Sequence, residues 1–241
     1  MGRTRHHDLG PFPGQDRPEL LVAPQDRRDG GVQPLTERCL KCWRTRELCL
    51  CGKVPSFVSG VRIGILRHPN ERRKTIGTAM LAHTCLENSF LLDGIDFSED
   101  RRLRAELERF APGEVALLFP GPAARPIEES RGTLKCLLVL DGTWNEAKKI
   151  LHYTKFLQAL PRVAFAPAEP STYRIRKEPR PECVSTIEAI AHSLRALGER
   201  EEVSRNLKAA FDLMVERQLA FGHSAPRQKL SMQLREQRLR E

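Results

Sequence analysis

A chain of 241 residues, 40% apolar and 29% charged, has material for one good-sized core plus tails, and this balance excludes wholesale disorder, collagen and coiled coil. Forty Lys and Arg against thirty-one Asp and Glu give a net charge of +9. Residues 1–35 add nothing to it (five basic, five acidic), 223–241 add +3 (five minus two) and 36–222 add +6 (thirty minus twenty-four), a surplus that suits a polyanionic partner such as nucleic acid.

Residues 1–35, rich in Pro, Gly, Asp and Arg and without hydrophobic period, read as a disordered leader. They carry no apolar signal-peptide core, and no run in the chain approaches the roughly 18 apolar residues of a membrane span, so a cytoplasmic protein is expected, with no membrane partner. Of seven cysteines, four fall in a segment at 36–58, as Cys39-x2-Cys42-x6-Cys49-x-Cys51. Outside an oxidising compartment this spacing points to one tetrahedral ion, and four thiolates close the coordination shell, making a structural zinc the expectation. Cys85, Cys136 and Cys183 sit in apolar or loop contexts and read as core or incidental residues.

Residues 59–222 read as one α/β domain. VRIGILR (61–67) is a buried-strand run ending at His68-Pro69-Asn70, and the spacing of Ile76, Met80, Leu81 and Leu86 predicts a helix with Asn70 as its cap. A charged surface helix is expected at 99–110, a strand at 115–119, and a loop at 120–126. KCLLVL (135–140) is a continuous apolar strand entering Asp141-Gly142, and Thr143 with Glu146 forms a capping box at the head of a helix over 143–159. After the short strand 162–166 and the basic loop STYRIRKEPRPE, Ser185 and Glu188 repeat the capping-box spacing, and a last helix spans 203–220. Residues 223–241 are a basic tail.

Strands alternating with helices imply a mostly parallel sheet flanked by helices, whose ligand sites gather beyond the carboxyl ends of strands. The loops 67–71, 119–126 and 141–144 qualify. LDGTW is the sharpest of them, a carboxylate at the end of a buried strand beside the exposed N–H groups of a helix start. From the residues alone Asp141 is either a ligand or base, or a simple turn cap, and Trp144 either a pocket wall or core.

RCLKCWRTRELCLC, RHPNE, LDGTW, STYRIRKEP and CVSTIEAIA, in this order, resemble the DTW-domain family over residues 36–220, with Asp141, Gly142, Thr143 and Trp144 as the defining motif. The resemblance implies a tRNA-uridine aminocarboxypropyltransferase, which moves the 3-amino-3-carboxypropyl group of S-adenosylmethionine to uridine N3, giving acp3U, expected at position 47 of the tRNA, and releasing 5′-methylthioadenosine. It also implies a SPOUT-like fold with a trefoil knot. Asp141, Thr143 and Trp144 are then the catalytic candidates, and Leu118, Phe119, Pro120, Gly121, Leu140, Ser185, Thr186 and Glu188 the donor-binding ones.

Two basic clusters are candidates for tRNA: Arg67, His68, Arg72, Arg73 and Lys74 around the first loop, and Tyr173, Arg174, Arg176, Lys177 and Arg180 in the second. Lys and Arg meet phosphates, while an aromatic ring stacks on an unpaired base. No protein partner is implied, and either a monomer or a homodimer fits. The rival functions are a SPOUT-like RNA methyltransferase and a non-catalytic zinc-dependent RNA-binding module.

Overall fold

A computed structural model describes residues 38–72, 74, 76–166, 171 and 184–224. The expected leader and Arg73, Tyr173, Arg174, Arg176, Lys177, Arg180 and Cys183 lie outside the described residues, as does nearly all of the C-terminal tail. A knot is a property of the whole chain path, which includes 167–170 and 172–183, also outside the described residues.

Six strands form one parallel sheet: β1 (Arg62–Arg67), β2 (Ser89–Asp93), β3 (Val115–Leu118), β4 (Arg125–Pro126), β5 (Cys136–Asp141) and β6 (Arg162–Ala164), in spatial order β2-β1-β5-β3-β6-β4. The central strand β5 is apolar along its length because both of its faces are covered. Leu137 and Val139 pack with α1 (Ala79–Cys85), α4 (Thr186–Ala196) and α5 (Glu201–Ser224), while Cys136 and Leu138 face α2 (Arg101–Leu107) and α3 (Trp144–Tyr153) on the other side. Burial pushes the thiols of Cys85 and Cys136 up to about 11 and about 12, the condition of inert core residues.

Several elements differ from the sequence expectation. The helix predicted from Asn70 begins at Ala79; Pro69–Glu71 is a single 3-10 turn capped by the His68 side chain, and turns closed by Lys74 N to Glu71 O and Gly77 N to Lys74 O carry the chain onward. Glycine resists helix propagation, so the helix starts only past Gly77. The helix expected over 143–159 stops at Tyr153, because Thr154 leaves helical geometry and its buried hydroxyl accepts the Phe97 N–H at 3.0 Å. β2 and β4 have no counterpart in the sequence reading, and the last helix runs longer at both ends. Among the described residues no helix is long and apolar enough to cross a membrane.

Candidate functional site

The carboxyl ends of β1 and β5 are tied together by the His68 N–H, which donates to the Asp141 carbonyl at 2.9 Å. The Asp141 side chain is 7% exposed, and its Oδ1 accepts the Thr186 hydroxyl at 2.5 Å. Thr186 opens α4, directly after the capping residue Ser185, whose N–H donates to Glu188 Oε2 at 2.8 Å. Ser171 also donates its hydroxyl to Glu188. Asp141 therefore sits between two helix starts, α3 three residues on and α4 in space, both of which favour an anion.

Gly142 is required by packing rather than by turn conformation. A Cβ there would stand 2.9 Å from the Glu146 Cβ and 3.4 Å from that of His68. The capping box at Thr143 is present, with Glu146 Oε2 accepting from Thr143 N at 2.8 Å and Thr143 Oγ1 at 2.9 Å. The other oxygen of the same carboxylate, Oε1, accepts from Asn70 Nδ2 at 2.9 Å and lies 3.4 Å from His68 Nδ1. Burial works to raise its pKa, but the donors on Thr143 and Asn70 outweigh it and hold Glu146 at about 2. One charged carboxylate thus clasps the HPN turn to the DGTW turn. Trp144 is 45% exposed and meets the Phe119 ring edge-on, with centroids 6.1 Å apart. Phe119 is buried beyond the end of β3, Leu118 and Leu140 are partly covered, and Pro120 and Gly121 are exposed.

The first basic cluster divides. Arg67 is buried and paired with Asp93 through Nε at 2.6 Å and Nη2 at 3.1 Å, so its charge serves the edge of the sheet. His68 is buried as well, and its Nδ1 accepts the Asn70 N–H at 3.3 Å. Arg72 and Lys74 are exposed, the latter paired with the buried Glu71.

The four cysteines converge as their spacing predicts. A tetrahedral ion with metal–sulfur bonds of about 2.3 Å sets its sulfurs about 3.8 Å apart. Here Cys39 Sγ is 3.9 Å from Cys51 Sγ, Cys42 Sγ is 3.7 Å from Cys49 Sγ, and all four lie within 4.8 Å of one another. Such a set fits zinc. Burial opposes ionisation of Cys39, but the N–H groups of Cys42 and Lys41 and the neighbouring thiols bring it down to about 7, while burial raises Cys49 and Cys51. This knuckle is anchored by Arg44, a buried residue that donates through Nη2 to the Gly77 carbonyl at 2.8 Å and reaches Met214 Sδ at 3.3 Å. Arg217 of α5 adds a bond to the Glu47 carbonyl at 3.0 Å.

Two contributors were not singled out as site residues from sequence. Glu146 carried a signal, its capping-box spacing, but not its second attachment to Asn70; Arg44 gave none, since its partners lie 33 and 170 residues away.

A family model described as the DTW domain matches residues 36–219. The chain is 32% identical over 193 residues to "tRNA-uridine aminocarboxypropyltransferase 2" of Drosophila melanogaster, covering 77% of this chain and 76% of the relative. The protein of the same name from Macaca fascicularis is 28% identical over 212 residues (85% and 68%). "tRNA-uridine aminocarboxypropyltransferase A" of Arabidopsis thaliana is 27% identical over 215 residues (73% and 79%). No solved structure matches the chain.

Proposed function

The chain belongs to the DTW domain family, and from that premise we propose that it transfers the 3-amino-3-carboxypropyl group of S-adenosylmethionine to N3 of a tRNA uridine in the cytoplasm. The observation that carries this reading is the Asp141 carboxylate, fixed at the end of the central strand by the Thr186 hydroxyl and set between two helix starts.

The sulfonium donor supplies a carbon already joined to a good leaving group, and the protein's work is to present the γ-carbon, not the methyl, to the nucleophile. A bond forms between N3 and that carbon, the carbon–sulfur bond breaks with its electron pair passing to sulfur, and 5′-methylthioadenosine departs neutral. The N3 proton must also leave. Asp141 has two uses in such a step: taking up that proton as a base, or pairing with the donor's ammonium group. Both uses need the carboxylate held in place, and the Thr186 hydroxyl donates to it.

Thr143, Trp144, Leu140, the 118–121 segment and the head of α4 (Ser185, Thr186 and Glu188) are the proposed walls, with the half-exposed indole offering an apolar face to adenosine or to an extruded uracil. Arg72 and Lys74, on the exposed flank of the same turn, would meet phosphate; His68 and Arg67 would support that turn from beneath. The proposed ion of the knuckle is zinc, held by Cys39, Cys42, Cys49 and Cys51, and its role is structural.

Purified protein incubated with labelled donor and unmodified tRNA transcripts tests the reading, with the small product and the altered nucleoside identified by mass spectrometry. Methylthioadenosine and acp3U in the variable loop are expected. S-adenosylhomocysteine with a methylated base would make it a methyltransferase, and tRNA binding without donor consumption would leave a binding module.

A further inference from the structure

Trp43 is the sole non-glycine residue with positive φ among the described residues, at 61°. In this left-handed region an ordinary side chain costs about 1 kcal/mol or more, whereas glycine adopts it freely. The knuckle's reversal explains the backbone: Trp43 N donates to the Cys39 carbonyl at 2.7 Å, and Arg38 Nη1 to the Trp43 carbonyl at 3.0 Å. It does not explain the indole. Glycine would make both bonds at less cost, and packing uses only part of the ring, because 43% of Trp43 is open to solvent.

The surroundings indicate what the ring meets. Arg38, Lys41 and Arg46 are exposed about it, with Leu40 beside them. With Arg44 buried, residues 38–53 expose four basic side chains (Arg38, Lys41, Arg46, Lys53) against one acidic, Glu47. An outward aromatic ring amid excess positive charge complements a ligand with both negative charge and flat apolar faces, which is unpaired nucleic acid. An apolar protein surface would match the ring but not the four-to-one charge ratio.

The location agrees. Arg44 joins the knuckle to Gly77, at the end of the segment that bears Arg72 and Lys74. Gly77 precedes α1, the helix that follows β1, so this anchor ties the knuckle to the connection leaving the carboxyl end of β1, where Arg67 pairs with Asp141.

We propose that the tip of the cysteine knuckle is a second tRNA contact, with Trp43 stacking on an unpaired base and Lys41 meeting a flanking phosphate. The proposal rests on the reading of tRNA as substrate. It adds a surface apart from the turns at 67–74 and 141–144.

The chain has two tryptophans, so Trp144→Phe leaves Trp43 as the only indole reporter. Titration of that variant with an unmodified tRNA transcript should quench its fluorescence and lower its access to acrylamide; neither change at saturating tRNA would overturn the proposal.

Trp43→Gly supplies the complementary result. It suits the backbone, so the variant should fold and keep its bound zinc, while tRNA affinity should fall about tenfold, within the range for one lost stacked base. Undiminished affinity in a folded, zinc-loaded variant would also overturn it. Lys41→Ala should lower the slope of log affinity against log salt by about one. A Trp43 response in the Trp144→Phe variant, with no transfer by the protein that keeps Trp144, would remove the transferase reading and keep this surface, whereas transfer by that protein without a Trp43 response in the variant would remove the surface alone.

Discussion

The turn that ends β5 and the cysteine knuckle each place functional groups at a reversal of the chain, but different forces hold them. Asp141 rides on a strand paired on both sides, and the turn after it is closed by neutral and charged hydrogen bonds to Thr186, Thr143 and Glu146. The knuckle has one isolated bridge, between Arg38 and Thr45, and beside it a few turn hydrogen bonds, the buried Leu48 and Leu50, four converging thiols and the Arg44 and Arg217 anchors. A sheet terminus is rigid before any ligand arrives, which suits chemistry that depends on sub-ångström placement. With the proposed zinc bound, such a loop would take much of its folding energy from the ion, which suits the proposed docking surface built from few residues.

The largest effect that would sharpen this contrast is metal removal. Structural zinc contributes roughly 10–16 kcal/mol of apparent binding energy in small finger peptides, so chelation or Cys39→Ser should abolish amide-exchange protection across 38–53 and lower the melting temperature. Amides of β5 should keep most of their protection. Simultaneous loss at β5 would show that the two regions share one source of order.

A smaller effect separates chemistry from fold at the other region. Asp141→Asn preserves an acceptor for Thr186 but removes the charge, so transfer should fall at least about a hundredfold with melting temperature nearly unchanged. Turnover equal to wild type would remove Asp141 from the mechanism. A rise confined to the donor's KM would assign the carboxylate to the ammonium group, and a fall confined to kcat would assign it to the N3 proton.

The smallest effect concerns the clasp. Glu146→Gln offers one carbonyl oxygen where two carboxylate oxygens each serve a donor, so either Thr143 or Asn70 loses its partner, at a cost of about 1 kcal/mol. Because folding lowers the Glu146 pKa from 4.5 to about 2, its stabilisation is complete above about pH 5 and is lost as pH falls through that interval. Denaturant unfolding between pH 6 and pH 3 should show a shallower decline in the Gln variant. Parallel declines would mean that the clasp adds nothing to stability.

Part of this is legible in the amino-acid sequence. The run KCLLVL is apolar without alternation because β5 is covered on both faces, and its strand assignment followed from that alone. Both capping boxes formed where Thr143 and Glu146, and Ser185 and Glu188, stand three residues apart, because N-cap geometry is local. The cysteine spacing placed four sulfurs on one point. β2 escaped notice because five residues give little periodic signal and its pairing with β1 supplies the order. The helix expected from Asn70 failed because apolar spacing does not report where a glycine and successive turns delay its start.

The sequence by itself determined the α/β class, the buried central strand, the capped starts of α3 and α4 and the composition of the two candidate sites, since each depends on residues within a turn or two of one another. Tertiary structure alone decided that Thr186 holds Asp141 across 45 residues, that Arg67 is occupied by Asp93 rather than facing solvent, and that Arg44 fastens the knuckle beside the first turn. Those contacts depend on strand order and on which face each helix covers. Hydrophobic burial sets both over the whole chain, and no local pattern encodes them.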